Sequence, residues 1–182
     1  MYKGPKTSMT VIILTCAVFV ITLLCCVSDV RSLRIPNIYS VLIIAGFAAA
    51  FLVAPENFGV LWHHLGALAA VFIVTYIMFI VGMMGGGDSK LGSALALWVG
   101  IKGVIIYVFW MAVVGGVIGG LSLLIKKKKP FAKPLAGSWL EAAQEGRNEI
   151  PYGVAISIGA WVAMLQTGFI TKQLDELLRT IH

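Results

Sequence analysis

The stretch MTVIILTCAVFVITLLCCV, residues 9–27, is an apolar run long enough to cross a lipid bilayer as a helix. Shorter or similar apolar runs follow at residues 38–53, 61–83, 91–99, 104–125 and 150–170. The chain has 182 residues, is 59% hydrophobic and 12% charged, and has a mean hydropathy of +0.95. Together these features exclude an ordinary soluble domain and predict an all-α, polytopic integral membrane protein with about six transmembrane helices.

The distribution of basic residues predicts how the chain is oriented in the membrane. The formal net charge is +6, and its concentration in a few loops is typical of a topology signal and of lipid contact, with no nucleic-acid partner. If the first segment runs from outside to inside, nine basic residues face the cytoplasm: Arg31, Arg34, Lys90, Lys126, Lys127, Lys128, Lys129, Lys133 and Arg147. Five then face outward: Lys3, Lys6, Lys102, Lys172 and Arg179. The excess favours both termini outside.

We predict a single membrane-embedded domain over residues 1–182, with one sizeable polar loop at about residues 126–149 on the cytoplasmic side. Within this loop, residues 139–144 have the pattern of a short interfacial helix, preceded by prolines and followed by Gly146. A plain solvated loop is an equally good interpretation of the same residues.

Two carboxylates lie at the ends of apolar segments, where burying a charged group is energetically costly. Asp29 closes the first segment, and Asp88 follows three glycines, Gly85, Gly86 and Gly87. Removing a carboxylate from water is costly unless it is paired or neutralised, so an ionisable group at a membrane edge usually serves a site. The predicted topology places both acids on the cytoplasmic side, where they can meet.

A pair of carboxylates can hydrolyse a peptide bond through a shared water molecule. The ionised member takes a proton from the water, and the protonated member donates a hydrogen bond to the scissile carbonyl. Close like charges resist double ionisation, so the pair holds one proton and titrates as a unit. Asp29 and Asp88 are therefore the candidate catalytic residues, and this chemistry needs neither a metal nor a cofactor.

Several neighbours are candidates for supporting roles. The glycines Gly85, Gly86 and Gly87 permit close backbone approach to Asp88 and admit a positive φ angle. Lys90 reinforces the charge of Asp88 if its side chain turns back. In the turn after Asp29, we expect Pro36 to restrain the backbone and Asn37 to cap the second helix, so that the turn sets the directions of Asp29 and Arg34.

Other polar residues have weaker claims. The three cysteines, Cys16, Cys25 and Cys26, lie together in the first segment, where packing is favoured over a disulfide or zinc site. His63 and His64 are adjacent, so they do not share a helix face, and an interfacial position is favoured over metal binding.

Three motifs in order resemble the bacterial prepilin peptidases, the type IV leader peptidases of the GxGD aspartyl protease class. They are Asp29 with Arg34-Ile35-Pro36-Asn37, then Gly85-Gly86-Gly87-Asp88-Ser89-Lys90-Leu91, then Ile150-Pro151-Tyr152-Gly153-Val154-Ala155-Ile156. The resemblance spans nearly the whole membrane domain. It implies that Asp29 and Asp88 are the two catalytic aspartates and that the glycine motif falls on Gly85 and Gly87.

The resemblance also implies a substrate and a location. Members of this family cleave the short basic leader of type IV prepilins or pseudopilins, at the cytoplasmic face of the bacterial inner membrane. Large bifunctional members carry paired CxxC zinc motifs associated with N-methylation, which this chain lacks. It therefore resembles the short forms found with Flp or tight-adherence pilus systems, and peptidase activity without methylation is expected.

Two functions of other classes compete with this hypothesis. Paired carboxylates also relay protons in proton-coupled transporters, which place their acids near the bilayer midplane and show broken helices in corresponding halves. A noncatalytic subunit of a pilus-assembly machine is the other alternative, although it gives no reason for the two aspartates.

Overall fold

The computed structural model describes residues 5–181, so Lys3, counted above on the outer side, lies outside the described residues. The helices are α1 (Pro5–Ser32), α2 (Asn37–Val53), α3 (Pro55–Phe58), α4 (Leu61–Ile80), α5 (Gly86–Lys128), α6 (Trp139–Glu145), α7 (Tyr152–Gln166) and α8 (Phe169–Ile181). No residue in this described range belongs to a β-strand. The predicted all-α class is confirmed.

The longest helix, α5, is divided into two antiparallel arms at Gly100. This residue has a φ of 67° and a ψ of 168°, which are not helical. The Tyr107 hydroxyl donates a hydrogen bond of 3.2 Å to the Gly92 carbonyl. In a straight helix these two residues would be roughly 22 Å apart along the axis. The chain therefore folds back at Gly100, and residues 86–99 lie beside residues 101–128.

The first arm of α5 forms the centre of the bundle. Every residue from 91 to 100 is buried, and α5 packs against α4, α7 and α2. Its small residues, among them Gly92 and Ala96, allow the neighbouring helices to approach closely. The Trp98 indole donates a hydrogen bond of 3.0 Å to the Ile43 carbonyl of α2. The apolar segment that is shortest in the sequence is thus the one that the other helices surround.

Each of the six predicted apolar segments forms a helix or a helical arm, but the expected count of six membrane crossings is not confirmed. Three helices among the described residues are long and apolar enough to cross a membrane: Met9–Ser32, Leu61–Ile80 and Gly86–Lys128. Tyr152–Gln166 and Phe169–Asp175, bent by 55° at a short break, provide a fourth if they act as one span. With these spans, the chain is a membrane protein.

The polar loop contains an ordered helix, α6. The Ser138 hydroxyl accepts a hydrogen bond from the Glu141 backbone N–H, and Gly146 ends the helix with a φ of 80°. The Trp139 indole donates a 2.7 Å hydrogen bond to the Ser122 hydroxyl of α5, and Ala142 is fully buried. The helical interpretation of residues 139–144 is therefore confirmed over that of a plain solvated loop.

His64 secures the turn at Gly100 and is buried within the bundle, near the start of α4. Its side chain is 6% exposed. The ring Nδ1 lies 2.6 Å from the Leu97 carbonyl oxygen and Nε2 lies 2.9 Å from the Phe58 carbonyl oxygen. The ring also fills the space in front of Gly100, where an added Cβ would lie 3.1 Å from the His64 Cε1. His63 faces outward and is exposed.

Replacing His64 with alanine should destabilise the fold by about 2–3 kcal/mol, because it removes the ring nitrogens that contact the Leu97 and Phe58 carbonyl oxygens and opens a cavity. The measurement is thermal unfolding in detergent, where a clearly lower midpoint is expected. His63→Ala, at the adjacent exposed position, is the control and should leave the midpoint unchanged. Equal effects of the two substitutions would contradict the anchoring role of His64.

Candidate active site

Asp29 lies in the last turns of α1 and is buried, with 4% of its surface exposed. Its Oδ2 accepts a hydrogen bond of 2.7 Å from the backbone N–H of Gly153, in the first turn of α7. First-turn N–H groups have no partner within their own helix, so the start of α7 supplies a donor that a buried carboxylate requires.

Gly153 fits this position because it has no side chain. An added Cβ would lie 2.7 Å from the Ile35 Cδ1 and 2.9 Å from the Asp29 Oδ2, closer than carbon atoms approach in folded proteins. Its carbonyl is also engaged, since it accepts a 2.7 Å hydrogen bond from the Ser157 hydroxyl. Gly153 therefore fixes the distance between α1 and α7 at the carboxylate.

Asp88 lies in the first turn of α5 and is half-buried. Its Oδ2 accepts a hydrogen bond of 3.0 Å from the Gly85 backbone N–H, which completes the N-terminal cap of the helix. Asp88 thus caps the start of its own helix. The second oxygen, Oδ1, is buried and has no hydrogen-bond partner among the described residues. One oxygen is held by a hydrogen bond, and the other is a buried acceptor that is left without a donor in the described part of the chain.

Asp29 and Asp88 line the same cavities although 58 residues separate them in sequence. A cavity of about 630 Å³ extends toward the polar loop. A second cavity, of about 450 Å³, extends along the turn between α1 and α2. The fold therefore brings the two predicted acids to one concave site that is large enough for a peptide segment.

The glycine triplet serves the chain's own packing. An added Cβ on Gly87 would lie 3.1 Å from the Ile35 carbonyl oxygen, and one on Gly85 would lie 2.8 Å from the Asp88 Oδ2. Gly86 faces the ring of Phe79, at 3.3 Å. The expected positive φ is not used at these positions, since Gly85 has a φ of −74° and none of the three is among the positive-φ glycines of the described chain. The close approach is between α5 and the turn after α1.

Lys90 and Asn37 are brought together. The Lys90 Nζ donates a hydrogen bond of 3.0 Å to the Asn37 Oδ1, so this lysine ties the start of α5 to the start of α2. The prediction that Asn37 caps α2 is wrong, because Pro36 occupies the N-cap position and Asn37 is already inside the helix. Arg34 is exposed and lines both cavities.

Sequence reasoning missed two groups at the site. Gly153 belongs to the third motif, residues 150–156, but nothing in its sequence context indicates that its N–H donates a hydrogen bond to Asp29. Ser89 and Thr75 are both buried, and their hydroxyl oxygens lie 2.9 Å apart. They connect the first turn of α5 to α4 directly beside Asp88. The sequence signal for this contact is a hydroxyl residue within or beside an apolar run, as at Thr75 and Ser89.

The fold and site together define a helical membrane protein with a pair of carboxylates in a cavity at one end of its bundle. The sequence model of the type IV leader peptidase family matches residues 16–120, more than half of the chain and the part that contains both aspartates. The chain belongs to the type IV leader peptidase family.

A curated relative shows the same likeness. The prepilin leader peptidase/N-methyltransferase of Bacillus subtilis (strain 168) is 27% identical over 141 residues. The alignment covers 73% of this chain and 56% of the relative, so the chain spans little more than half the length of that protein. No solved structure matches the chain significantly.

Gly153→Ala should destabilise the protein by about 1–3 kcal/mol, because the new methyl group overlaps Ile35 and the Asp29 carboxylate. Gly116→Ala is the matched control, since an added Cβ there meets nothing within 4 Å and alanine favours a helix. Thermal unfolding in detergent compares the two. A midpoint for Gly153→Ala at or above that of Gly116→Ala would contradict the close packing at Gly153.

Proposed function

We propose that this protein is an aspartic endopeptidase that removes the leader peptide of type IV prepilins or pseudopilins, using Asp29 and Asp88 to activate water. Membership of the type IV leader peptidase family supports the substrate class. The name of the Bacillus subtilis relative refers to a prepilin leader in the same way. The observation that carries the proposal is the pair of carboxylates on one cavity, each with an oxygen held by a backbone N–H.

The geometry suits general acid–base hydrolysis. A water molecule between the carboxylates gives a proton to the ionised aspartate as its oxygen bonds to the scissile carbonyl carbon. The protonated aspartate donates a hydrogen bond to the carbonyl oxygen, where negative charge develops. When the carbon–nitrogen bond breaks, the collected proton passes to the leaving amine. Backbone donors on fixed helix starts hold both carboxylates in position during these steps.

The site is proposed to face the cytoplasm of a bacterial inner membrane. The acids share their cavity with Arg31, Arg34 and Arg147. The lysines that end α5 lie at the same end of the bundle, because Lys126 packs against the position of Gly146, one residue before Arg147. This concentration of basic residues at the end that contains the acids is what the positive-inside rule expects of a cytoplasmic face.

N-methylation is not part of the proposed activity. The three cysteines are Cys16, Cys25 and Cys26, and no two of them have the CxxC spacing that the sequence resemblance associates with the methylating forms. Mass spectrometry of the cleaved pilin, incubated with S-adenosylmethionine, should show an unmodified amino terminus.

The two competing functions fit the site less well. A proton-coupled transporter needs acids near the bilayer midplane, whereas Asp29 and Asp88 lie at the ends of their helices and beside the polar loop. A noncatalytic assembly subunit does not require two carboxylates with restrained geometry in a cavity of about 630 Å³.

Cleavage of a Flp-type prepilin in membrane vesicles should be lost in both Asp29→Asn and Asp88→Asn, by about 1,000-fold or more, because neither carboxyl alone can act as base and acid. Asp175→Asn, an exposed aspartate in α8, is the matched control and should cleave at the wild-type rate. The assay is gel-resolved cleavage at equal protein levels. Full activity in either site variant would contradict the two-aspartate mechanism.

Gly87→Val should lower the rate of cleavage about 100-fold while leaving the protein folded. The valine side chain would press on the Ile35 backbone and so push the start of α5, which carries Asp88, away from the turn after Asp29. Displacements of this kind cost about 100-fold in rate. Gly120→Val, at a position with nothing within 4 Å, controls for the loss of a glycine in α5. Normal cleavage by folded Gly87→Val would show that the close contact does not set the geometry of the acids.

A further inference from the structure

The two cavities at the site form one cleft that passes the acids on both sides. They share five lining residues, Asp29, Leu33, Arg34, Gly85 and Asp88. Each cavity then continues in its own direction. An extended polypeptide lying across the acids would therefore place the residues on either side of the cleaved bond in different surroundings.

The two parts of the cleft differ in charge. Apart from the shared Arg34 and the acids, the smaller part is lined by uncharged residues, namely the turn residues 35–37 and the glycines of the triplet. The larger part extends under the polar loop and adds Arg31, Arg147, Asn148 and Glu149. A polar, charged segment fits the larger part, and a segment with small side chains fits the smaller part.

The polar loop places three carboxylates around one guanidinium. The Arg147 Nε lies 3.1 Å from the Glu145 Oε2, its Nη1 lies 3.5 Å from the Glu149 Oε2, and its Nη2 lies 3.8 Å from the Glu141 Oε2. The Lys126 ammonium group also lies beside the neighbouring Gly146, so three negative charges against two positive charges leave an excess of one negative charge in this group. Of these glutamates, Glu149 alone is in the cavity lining, with half of its side chain exposed.

The end of α1 and the turn after it add positive charge to the same cavity. Arg31 and Arg34 are exposed at the end of α1 and in the following turn, and no ion pair involves either of them within the described residues. A basic side chain in the cleft would be repelled by these arginines and attracted by the Glu149 carboxylate. The larger part of the cleft thus contains charged groups of both signs, and Glu149 is its only acid besides Asp29 and Asp88 among the described residues.

We propose that Glu149 is a specificity residue, which receives a basic side chain of the leader in the larger part of the cleft while the residues after the cleaved bond occupy the smaller part. The inference rests on the proposed peptidase function. Glu149 does not touch the reacting atoms, so its contribution is to substrate binding. An exposed ion pair of this kind changes affinity about fivefold and weakens as salt is added.

The test uses a set of prepilins that differ only in one leader residue, which is lysine, glutamine or glutamate, with the lysine moved along the leader in turn. For at least one lysine position, Glu149→Gln should raise KM about fivefold with kcat unchanged, and the effect should shrink at high salt. Glu149→Lys should prefer the glutamate leader over the lysine leader. Glu145→Gln is the matched control, because Glu145 contacts the same Arg147 but lies outside the cavity lining.

The outcomes separate the two levels of the proposal. If the wild type cleaves and Glu149→Lys shows the same leader-charge preference as the wild type, the role of Glu149 is overturned. The peptidase function is unaffected by that result. Equal effects of Glu149→Gln and Glu145→Gln would also overturn it, because a general field effect would then suffice. No cleavage of any leader by the wild type, at protein levels that bind detergent-solubilised prepilin, would overturn the peptidase function and this inference with it.

Discussion

The buried carboxylate of Asp29 sets the constraint on which the arrangement of the site depends. A carboxylate removed from water needs a donor close by, and here the donor is the Gly153 N–H at 2.7 Å. That hydrogen bond requires the start of α7 to approach α1 so closely that a methyl group would overlap both Ile35 and the carboxylate. The turn after α1 is thereby held between α7 and the start of α5, where Gly87 meets the Ile35 backbone. Three segments distant in sequence are fixed around one side chain.

The reversal of α5 at Gly100 places the second acid at the same end of the bundle. The first arm runs inward from Asp88 through a core of small residues and ends beneath His64, and the second arm returns toward the polar loop. Because the return brings α6 and Arg147 back to the acids, the cavity has charged walls on its loop side. The helical core thus supplies rigidity, while the segments at one end supply the polar and charged groups that line the cavity.

The sequence indicated the helices and the two acids because both signals are local. Apolar runs follow from bilayer thickness, and an aspartate at the end of such a run is costly enough to be informative. Contacts between segments were harder to predict from the sequence. Asparagine often caps helices, but Asn37 accepts a hydrogen bond from Lys90 instead. His64 is buried at the α5 turn, which its sequence neighbours do not indicate. Gly153 acts through its backbone N–H, a group that every residue other than proline has. The short run at residues 91–99 could be recognised as helical, but its central position depends on tertiary packing.

The most direct test of the central claim, that Asp29 and Asp88 face one another across a single site, is cross-linking. In a chain with Cys16, Cys25 and Cys26 replaced by alanine, Asp29→Cys and Asp88→Cys together should be joined by a short bifunctional maleimide in membranes. The combination of Asp29→Cys with Asp175→Cys, which lies beyond the far end of α7, should not be. Efficient joining of the first pair alone is the expected result. Failure to join it, when each cysteine reacts normally with a monofunctional maleimide, would contradict the paired site.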